Sequence, residues 1–358
     1  MKSFASQLID WQHRYGRHDL PWQATSDPYR VWLSEIMLQQ TQVQSVIGYF
    51  NRFVARFPSV ATLASATEQE VLALWSGLGY YQRARNLHAC AQKIMHHHGG
   101  QFPRTSAELM QLPGIGRSTA AAIAAIVFKE RAAILDGNVK RVLARVFCVE
   151  APWGSPALEK KLWQRAQTLL PVNGEDMPRY TQAIMDLGAT VCRARNPVCG
   201  SCPVASHCLA LKNNCVVRYP LPKPLRTIPQ RHAWWCVLKN DHGVWLTQQP
   251  VKGIWPGLWV PWQLDRNALP KNWLQIAQHL IGVQKIRHTF SHYRLLVEAG
   301  VVVWQKEAPP SGASAALQFF SWDQALALPL PAPVHKLLLT LCPSGKANGG
   351  APRRNSRF

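Results

Sequence analysis

Acidic residues are scarce in this 358-residue chain: 19 Asp and Glu stand against 40 Lys and Arg, for a formal charge of +21. The deficit is spread along the chain. Residues 1–217 hold 23 bases against 14 acids, and residues 218–358 hold 17 against 5. A single basic tail is therefore excluded as its source, and the balance points to a polyanion, most commonly nucleic acid. Long hydrophobic runs are also missing. The best stretch, Ala120 to Phe128, is half of the roughly 18 residues a membrane span requires. Asp10, His13, Arg14 and Asp19 rule out a signal-peptide core at the start of the sequence, so a cytoplasmic, chromosome-associated protein is expected. Nine cysteines, an odd number without a secretion signal, argue against a disulfide framework. The 47% hydrophobic content is enough to bury sizeable cores, which excludes bulk disorder, and the length suggests at least two domains.

The sequence changes texture near residue 218. Before it, Tyr29–Gln44, Glu68–Leu74, Arg83–His97 and Ser118–Phe128 combine good helix formers with apolar faces at helical spacing. Turn signals such as Gly77–Gly79, Gly99-Gly100 and Leu112–Gly116 separate them. Residues 218–231 contain four prolines and four bases and read as a linker. Beyond it, Ala233–Lys239 and Val244–Gln249 flank Asn240–Gly243 as a β-hairpin. Leu295–Trp304 and Gln318–Trp322 read as strands and Pro333–Leu341 as a closing helix. The expected organisation is multidomain: a mainly helical domain (1–217), the linker, an α+β domain (232–342) and a disordered basic tail (343–358).

Four features carry chemistry. Cys192, Cys199, Cys202 and Cys208 are spaced C-x6-C-x2-C-x5-C, so one short loop can wrap a metal centre. With a single Cys-x2-Cys knuckle, the spacing favours an iron–sulfur cluster over structural zinc without excluding zinc. Leu112-Pro113-Gly114-Ile115-Gly116-Arg117-Ser118 leads into an alanine-rich helix. Its two glycines permit close backbone approach, and the helix start offers N–H groups to a phosphate, the layout of a helix–hairpin–helix. Taken alone it is more often a plain turn between two helices. Asp136 follows the apolar run Ala132–Leu135 and opens Gly137-Asn138-Val139-Lys140-Arg141; by itself it reads as a helix N-cap. Glu35 lies among Trp32, Leu33, Ile36, Met37 and Leu38, where burial would raise its pKa, although a lone glutamate is more often on the surface.

Together and in this order, these motifs resemble the DNA glycosylase superfamily of the endonuclease III type. Ser34–Gln42, Gly77-Leu78-Gly79-Tyr80-Tyr81 and Leu135–Arg141 are similar to the MutY-type adenine DNA glycosylases within it. The resemblance spans roughly residues 5–340. It implies a [4Fe–4S] cluster on the four cysteines and removal of adenine mispaired with 8-oxoguanine or guanine in double-stranded DNA, by a monomer. Glu35 would protonate the flipped base, Asp136 would stabilise the positive charge left on the sugar, and Asn138 would orient Asp136.

Further roles follow from the same resemblance. Gln40 and Tyr80 would enter the duplex beside the oxidised base. Leu112, Gly114, Gly116, Ser118 and Lys140 would meet the DNA around the hairpin and the site. Phe290-Ser291-His292 would contact 8-oxoguanine from a Nudix-like second domain. Strand-nicking relatives carry a lysine at the position of Ser118, and a serine cannot form their Schiff base. Many MutY relatives have tyrosine there, and this sequence departs from that pattern with Ser118. A monofunctional glycosylase follows, with weak lyase activity from Lys140 at most. Asp241, Asp265, Glu298, Glu307 and Asp323 are too dispersed to hold the Mg2+ of a Nudix hydrolase, which leaves the second domain as a recognition module.

Overall fold

The computed structural model describes residues 2–23, 25–224, 227–250, 252–265, 273–290, 292–310, 313 and 316–343. Ser291 and the expected tail beyond Pro343 lie outside the described residues. By their contacts the residues form two compact units: 1–66 with 82–225, and 67–81 with 226–358. Assigning residues 67–81 to the C-terminal chain departs from the continuous helical domain read from the sequence. Their hydrogen bonds explain it: Ser76 Oγ and Tyr81 Oη both donate to the Leu330 carbonyl, at 3.1 and 2.5 Å.

The first unit holds α1 (Phe4–Tyr15), α2 (Pro28–Leu38), α3 (Val43–Arg56) and α4 (Val60–Ala64); α5 (Glu68–Trp75) falls in the second unit. The first continues with α6 (Gln82–His98), α7 (Ser106–Leu109), α8 (Arg117–Phe128), α9 (Gly137–Val146), α10 (Pro156–Thr168), α11 (Met177–Asp186) and α12 (Leu209–Lys212). Ala120–Ala125 of α8 are buried on every face. Small side chains let that helix run through the interior, where α2, α7 and α11 pack against it. Leu8, Ala125, Leu143, Leu158, Leu162, Ala183 and Leu187 close one core around it. α11 runs on into a π-helical turn, Leu187–Val191, that delivers the chain to Cys192.

The expected helix Tyr29–Gln44 is in fact two. No Gly or Pro interrupts the local sequence, so the break has a tertiary cause. The Arg83 guanidinium, from α6, donates from Nη1 to the carbonyls of Ile36, Met37 and Gln39 (3.0, 2.8 and 2.5 Å). Its Nη2 donates to Thr41 Oγ1 at 3.0 Å. A buried cation thus satisfies carbonyls that the end of α2 would leave bare, and it sits at the negative end of the helix dipole.

The second unit is built on a mixed sheet. Its strands are β1 (Gln230–Lys239), β2 (Gly243–Gln248), β3 (Trp259–Val260), β4 (Trp262–Leu264), β5 (Leu280–Thr289), β6 (Arg294–Val303) and β7 (Leu317–Ser321). The order is β3-β2-β1-β6-β5, with β4 on β1 and β7 on β2. β1 and β6 run parallel from Gln230↔Arg294 to Lys239↔Val303, and the β1–β2 hairpin closes at Asn240, whose Oδ1 accepts from the amides of His242 and Gly243. Cys236, Leu238, Trp245, Trp262, Val302 and Trp304 form a core together with Ile276 of α13 (Trp273–Ala277). α14 (Trp322–Ala327) and α15 (Ala332–Leu341) end the described chain.

One close approach in the helical unit positions the site. A Cβ on Gly188, in the π turn, would stand 2.6 Å from Asn138 Cβ and 3.1 Å from Asn138 Cα. Because part of that contact is backbone, Gly188→Ala is expected to cost about 1–3 kcal/mol, a fall of several degrees in melting temperature. Differential scanning calorimetry checks this; an unchanged Tm would show that the π turn can withdraw from α9 at no cost.

Candidate active site

Asp136 and Glu35, 101 positions apart in the chain, act on each other electrostatically in the fold. Asp136 is the N-cap of α9 and its Oδ1 accepts from the Val139 amide at 2.7 Å, so the simple capping reading also holds. Burial pushes its carboxyl pKa up, opposed by the Val139 and Asn138 amides and by the charges of Arg141 and Lys140. Glu35 sits near the end of α2 with no comparable set of donors. Its side chain keeps some accessible surface at a pocket wall, but protein surrounds the carboxyl densely. Desolvation first, and then the Asp136 charge, push its pKa from 4.5 to about 7. The amides and cations oppose the rise at Asp136, and the Asp136 charge in turn adds to the rise at Glu35.

Glu35 lines a pocket of about 760 Å³, walled by residues of α2, the 17–26 loop, the end of α8 and α11. Trp22, Gln23, Gln182 and Arg179 are on its wall; Asp136 is not. Arg17 is fixed by the fully buried Asp186 (Nε to Oδ1 2.8 Å), which also accepts from Gln182 Nε2 at 3.0 Å. Lys129 and Glu175 pair across 2.5 Å at the same wall. None of these pocket residues was singled out from the sequence. They come from segments far apart in the chain and form no motif.

Around Asp136 the polar contacts are continuous. Asn138 Oδ1 accepts from Arg141 Nη2 at 2.9 Å, so the residue expected to orient Asp136 is itself held. Ser118 Oγ accepts from the amide of Leu135 at 3.0 Å, tying the start of α8 to the residue before Asp136. Lys140 forms an ion pair with Glu159. In the hairpin, Gly114 has φ +75° and a Cβ there would stand 2.6 Å from Asn86 Cβ. Leu112 is buried, so it has only its backbone to offer outside the protein. Gln40 (φ +57°) and Tyr80 (φ +53°) are both exposed, each in its own unit. In the second unit Phe290 stacks on Tyr293 (4.5 Å between centroids), and the exposed His292 meets Tyr293 edge-on at 4.7 Å.

The four cysteines line one apolar hollow with Val142, Leu187, Val191, Val204 and Leu211. Among the described residues no three His, Cys, Asp or Glu side chains close around a single ion. Sulfurs spread around a hollow suit a multi-iron cluster better than a lone tetrahedral zinc. Two arginines of α9 grip the loop. Arg141 donates to the carbonyls of Cys192 (2.8 Å) and Gly188 (2.6 Å). Arg145, buried, donates to the Arg193 carbonyl at 2.7 Å and lies 3.4 Å from Cys192 Sγ.

Residues 33–168 match the HhH-GPD superfamily base excision DNA repair protein, 192–208 the iron-sulfur binding domain of endonuclease III, and 233–340 the NUDIX domain. The adenine DNA glycosylase of Buchnera aphidicola subsp. Acyrthosiphon pisum is 37% identical, over 82% of this chain and 84% of its own. The human adenine DNA glycosylase is 34% identical, over 87% of this chain and 69% of its own. A solved thermostable thymine-DNA glycosylase aligns with a TM-score of 0.51 and 28% identity, covering 59% of this chain and 95% of that one. The chain belongs to the adenine DNA glycosylase family.

As a member of that family the protein is a DNA N-glycosylase with a [4Fe–4S] cluster and a Nudix-like C-terminal domain. The raised Glu35 pKa bears on stability and, if Glu35 is the acid, on rate. If Glu35 is the acid, single-turnover excision falls about tenfold per pH unit above roughly 7, and Glu35→Gln abolishes it. Stability also falls as pH rises, whereas the substitution acts on it in the opposite sense to its effect on rate. A folded pKa of about 7 against 4.5 means that the native state binds more protons than the unfolded chain between those values. Stability therefore drops as pH rises through this window, by roughly 2–4 kcal/mol at pH 8. Glu35→Gln removes the penalty and is expected to melt higher than wild type at pH 8, and no higher at pH 4. Thermal denaturation at both pH values checks this; equal melting temperatures would show that Glu35 is solvated.

Proposed function

We propose that this glycosylase, acting in base excision repair as a monomer on chromosomal DNA, takes adenine from pairs with 8-oxoguanine or guanine. The observation that carries the reading is Glu35 on a pocket wall, its pKa raised by burial and by the charge of Asp136. An adenine inside a duplex is out of reach, so the nucleotide must leave the stack and enter that pocket. Adenine departs poorly as an anion, and Glu35 supplies the proton to N7 as the glycosidic bond breaks. The sugar is left with positive charge, which Asp136 balances, electrostatically or by a covalent bond, until water attacks at C1′. Asn138 and the α9 amides hold Asp136 while this happens.

The hairpin supports a phosphate-binding role. α8 starts at Gly116, which has no side chain to cap it. Gln40 and Tyr80, exposed in left-handed backbone, would enter the duplex, and Phe290 and His292 support a second-domain contact with the oxidised base. Ser118 supplies no amine, and the Lys140 amine is engaged by Glu159; both support a monofunctional enzyme.

Two experiments test the reading. Protein in excess over a labelled 8-oxoguanine:adenine duplex should give strand cleavage only after hot alkali, on the adenine strand. A thymine glycol duplex should stay intact; nicking of it without alkali would move the enzyme to the endonuclease III branch. In the second, Ser118→Ala leaves the Leu135 amide without its acceptor, at a cost of about 1–2 kcal/mol. If all of that is felt at Asp136, single-turnover excision slows roughly 5–30-fold. Ser118→Thr, which keeps the hydroxyl, should retain most of the rate. Equal losses in both would place the effect in packing instead.

A further inference from the structure

We infer that Arg83 is a positioning residue for Gln40, holding the break after α2 in the one shape that presents this side chain to the duplex. The inference rests on the reading of Gln40 given above.

Residues 34–43 read Ser-Glu-Ile-Met-Leu-Gln-Gln-Thr-Gln-Val, and nothing in that string stops a helix. What stops it is one guanidinium. Nη1 shares its two hydrogens among the Ile36, Met37 and Gln39 carbonyls, and Nη2 holds Thr41 Oγ1. The residues flanking Gln40 are tied further. The Thr41 amide donates to the Leu38 carbonyl at 3.2 Å, and Gln39 Nε2 donates to Thr119 Oγ1 at 3.2 Å, on the first turn of α8. Gln40 is left at the apex, exposed, with φ +57°. A non-glycine residue keeps a left-handed conformation only where its surroundings over-determine it. Here the surroundings are the bonds to residues 36–39 and 41.

The geometry needs an arginine. A lysine ammonium has one nitrogen and cannot serve three carbonyls and a hydroxyl beyond them. Arg83 is not among the causes of the raised Glu35 pKa, which are burial and Asp136, although Ile36 is the next residue. A charge-conserving change at Arg83 therefore leaves the titration of the acid alone and disturbs the loop.

The test is a double-mutant cycle in single-turnover excision with the full-length holoenzyme: Arg83→Lys, Gln40→Ala and the pair. Arg83→Lys is expected to slow excision about tenfold, with unchanged absorbance near ~400 nm and an unchanged alkaline limb of the pH–rate profile. The double variant should be no slower than Gln40→Ala alone. Losses that multiply, or a displaced alkaline limb, would place Arg83 on the scaffold of Glu35 and overturn the inference; so would a wild-type rate in Arg83→Lys. A wild-type rate in Gln40→Ala takes down the reading of Gln40 and this inference with it, whereas multiplying losses leave Gln40 standing. If Arg83→Lys does not fold, Thr41→Val removes a single bond of the set. It should show a smaller loss with the same non-additivity toward Gln40→Ala, and multiplying losses there count equally against the inference.

Discussion

Two carboxyl groups that act on each other while protein surrounds both set the electrostatic constraint at the centre of the helical unit. Burial alone cannot tell them apart, since burial pushes both Glu35 and Asp136 the same way. The asymmetry comes from what surrounds each. Asp136 stands at a helix start with two amides and two cations to favour its charge, while Glu35 is placed near the end of α2, away from any such set. Once Asp136 is ionised, its charge reinforces the proton on Glu35. The two roles are then stable together, because each carboxyl's protonation state favours the other's.

α9 carries this asymmetry into the cofactor loop. Its first residues serve Asp136, and Arg141 and Arg145, one turn apart on the same helix, bind the backbone around Cys192. Arg141 also reaches Asn138 and the Gly188 carbonyl, so the start of α9, the π turn and the cysteine loop meet at one guanidinium. The arginines that hold the loop in place are on α9, where a helical pattern reads them as ordinary polar positions. A short loop around a cluster needs its backbone carbonyls satisfied, and guanidinium groups can do this from a neighbouring element without adding chain.

What could be read from the sequence was whatever is local. The cysteine spacing, the hairpin glycines, the carboxylate opening α9 and the β1–β2 turn each lie in one short segment whose chemistry is self-contained. The break at residues 39–42 could not be read, because its cause is 40 positions away in Arg83. The β5 strand was missed for a related reason. It is the sheet edge, one face exposed and the other covered only in part at Gly282, Ile286 and His288, and Leu280–Thr289 lacks the apolar alternation that marks a half-buried strand. The pocket walls carry no motif, and nothing in the sequence marks Gln182 as the partner of Asp186 on the wall that Glu35 shares. The pairing of residues 67–81 with the C-terminal chain depends on the carbonyl of Leu330, which no periodicity reports.

The two hairpin glycines separate what the fold requires from what lies outside it. Gly114 is required from within: its backbone is left-handed and Asn86 fills the space a side chain would take. Gly116 has φ −85°, open to any residue, and among the described residues no atom lies within 4 Å of where its Cβ would stand. Nothing in the protein asks for a glycine there. A side chain at that point would cover the first turn of α8, whose N–H groups face outward at the positive end of the helix dipole. The missing Cβ leaves that backbone open to a partner, in keeping with the phosphate-binding role proposed above.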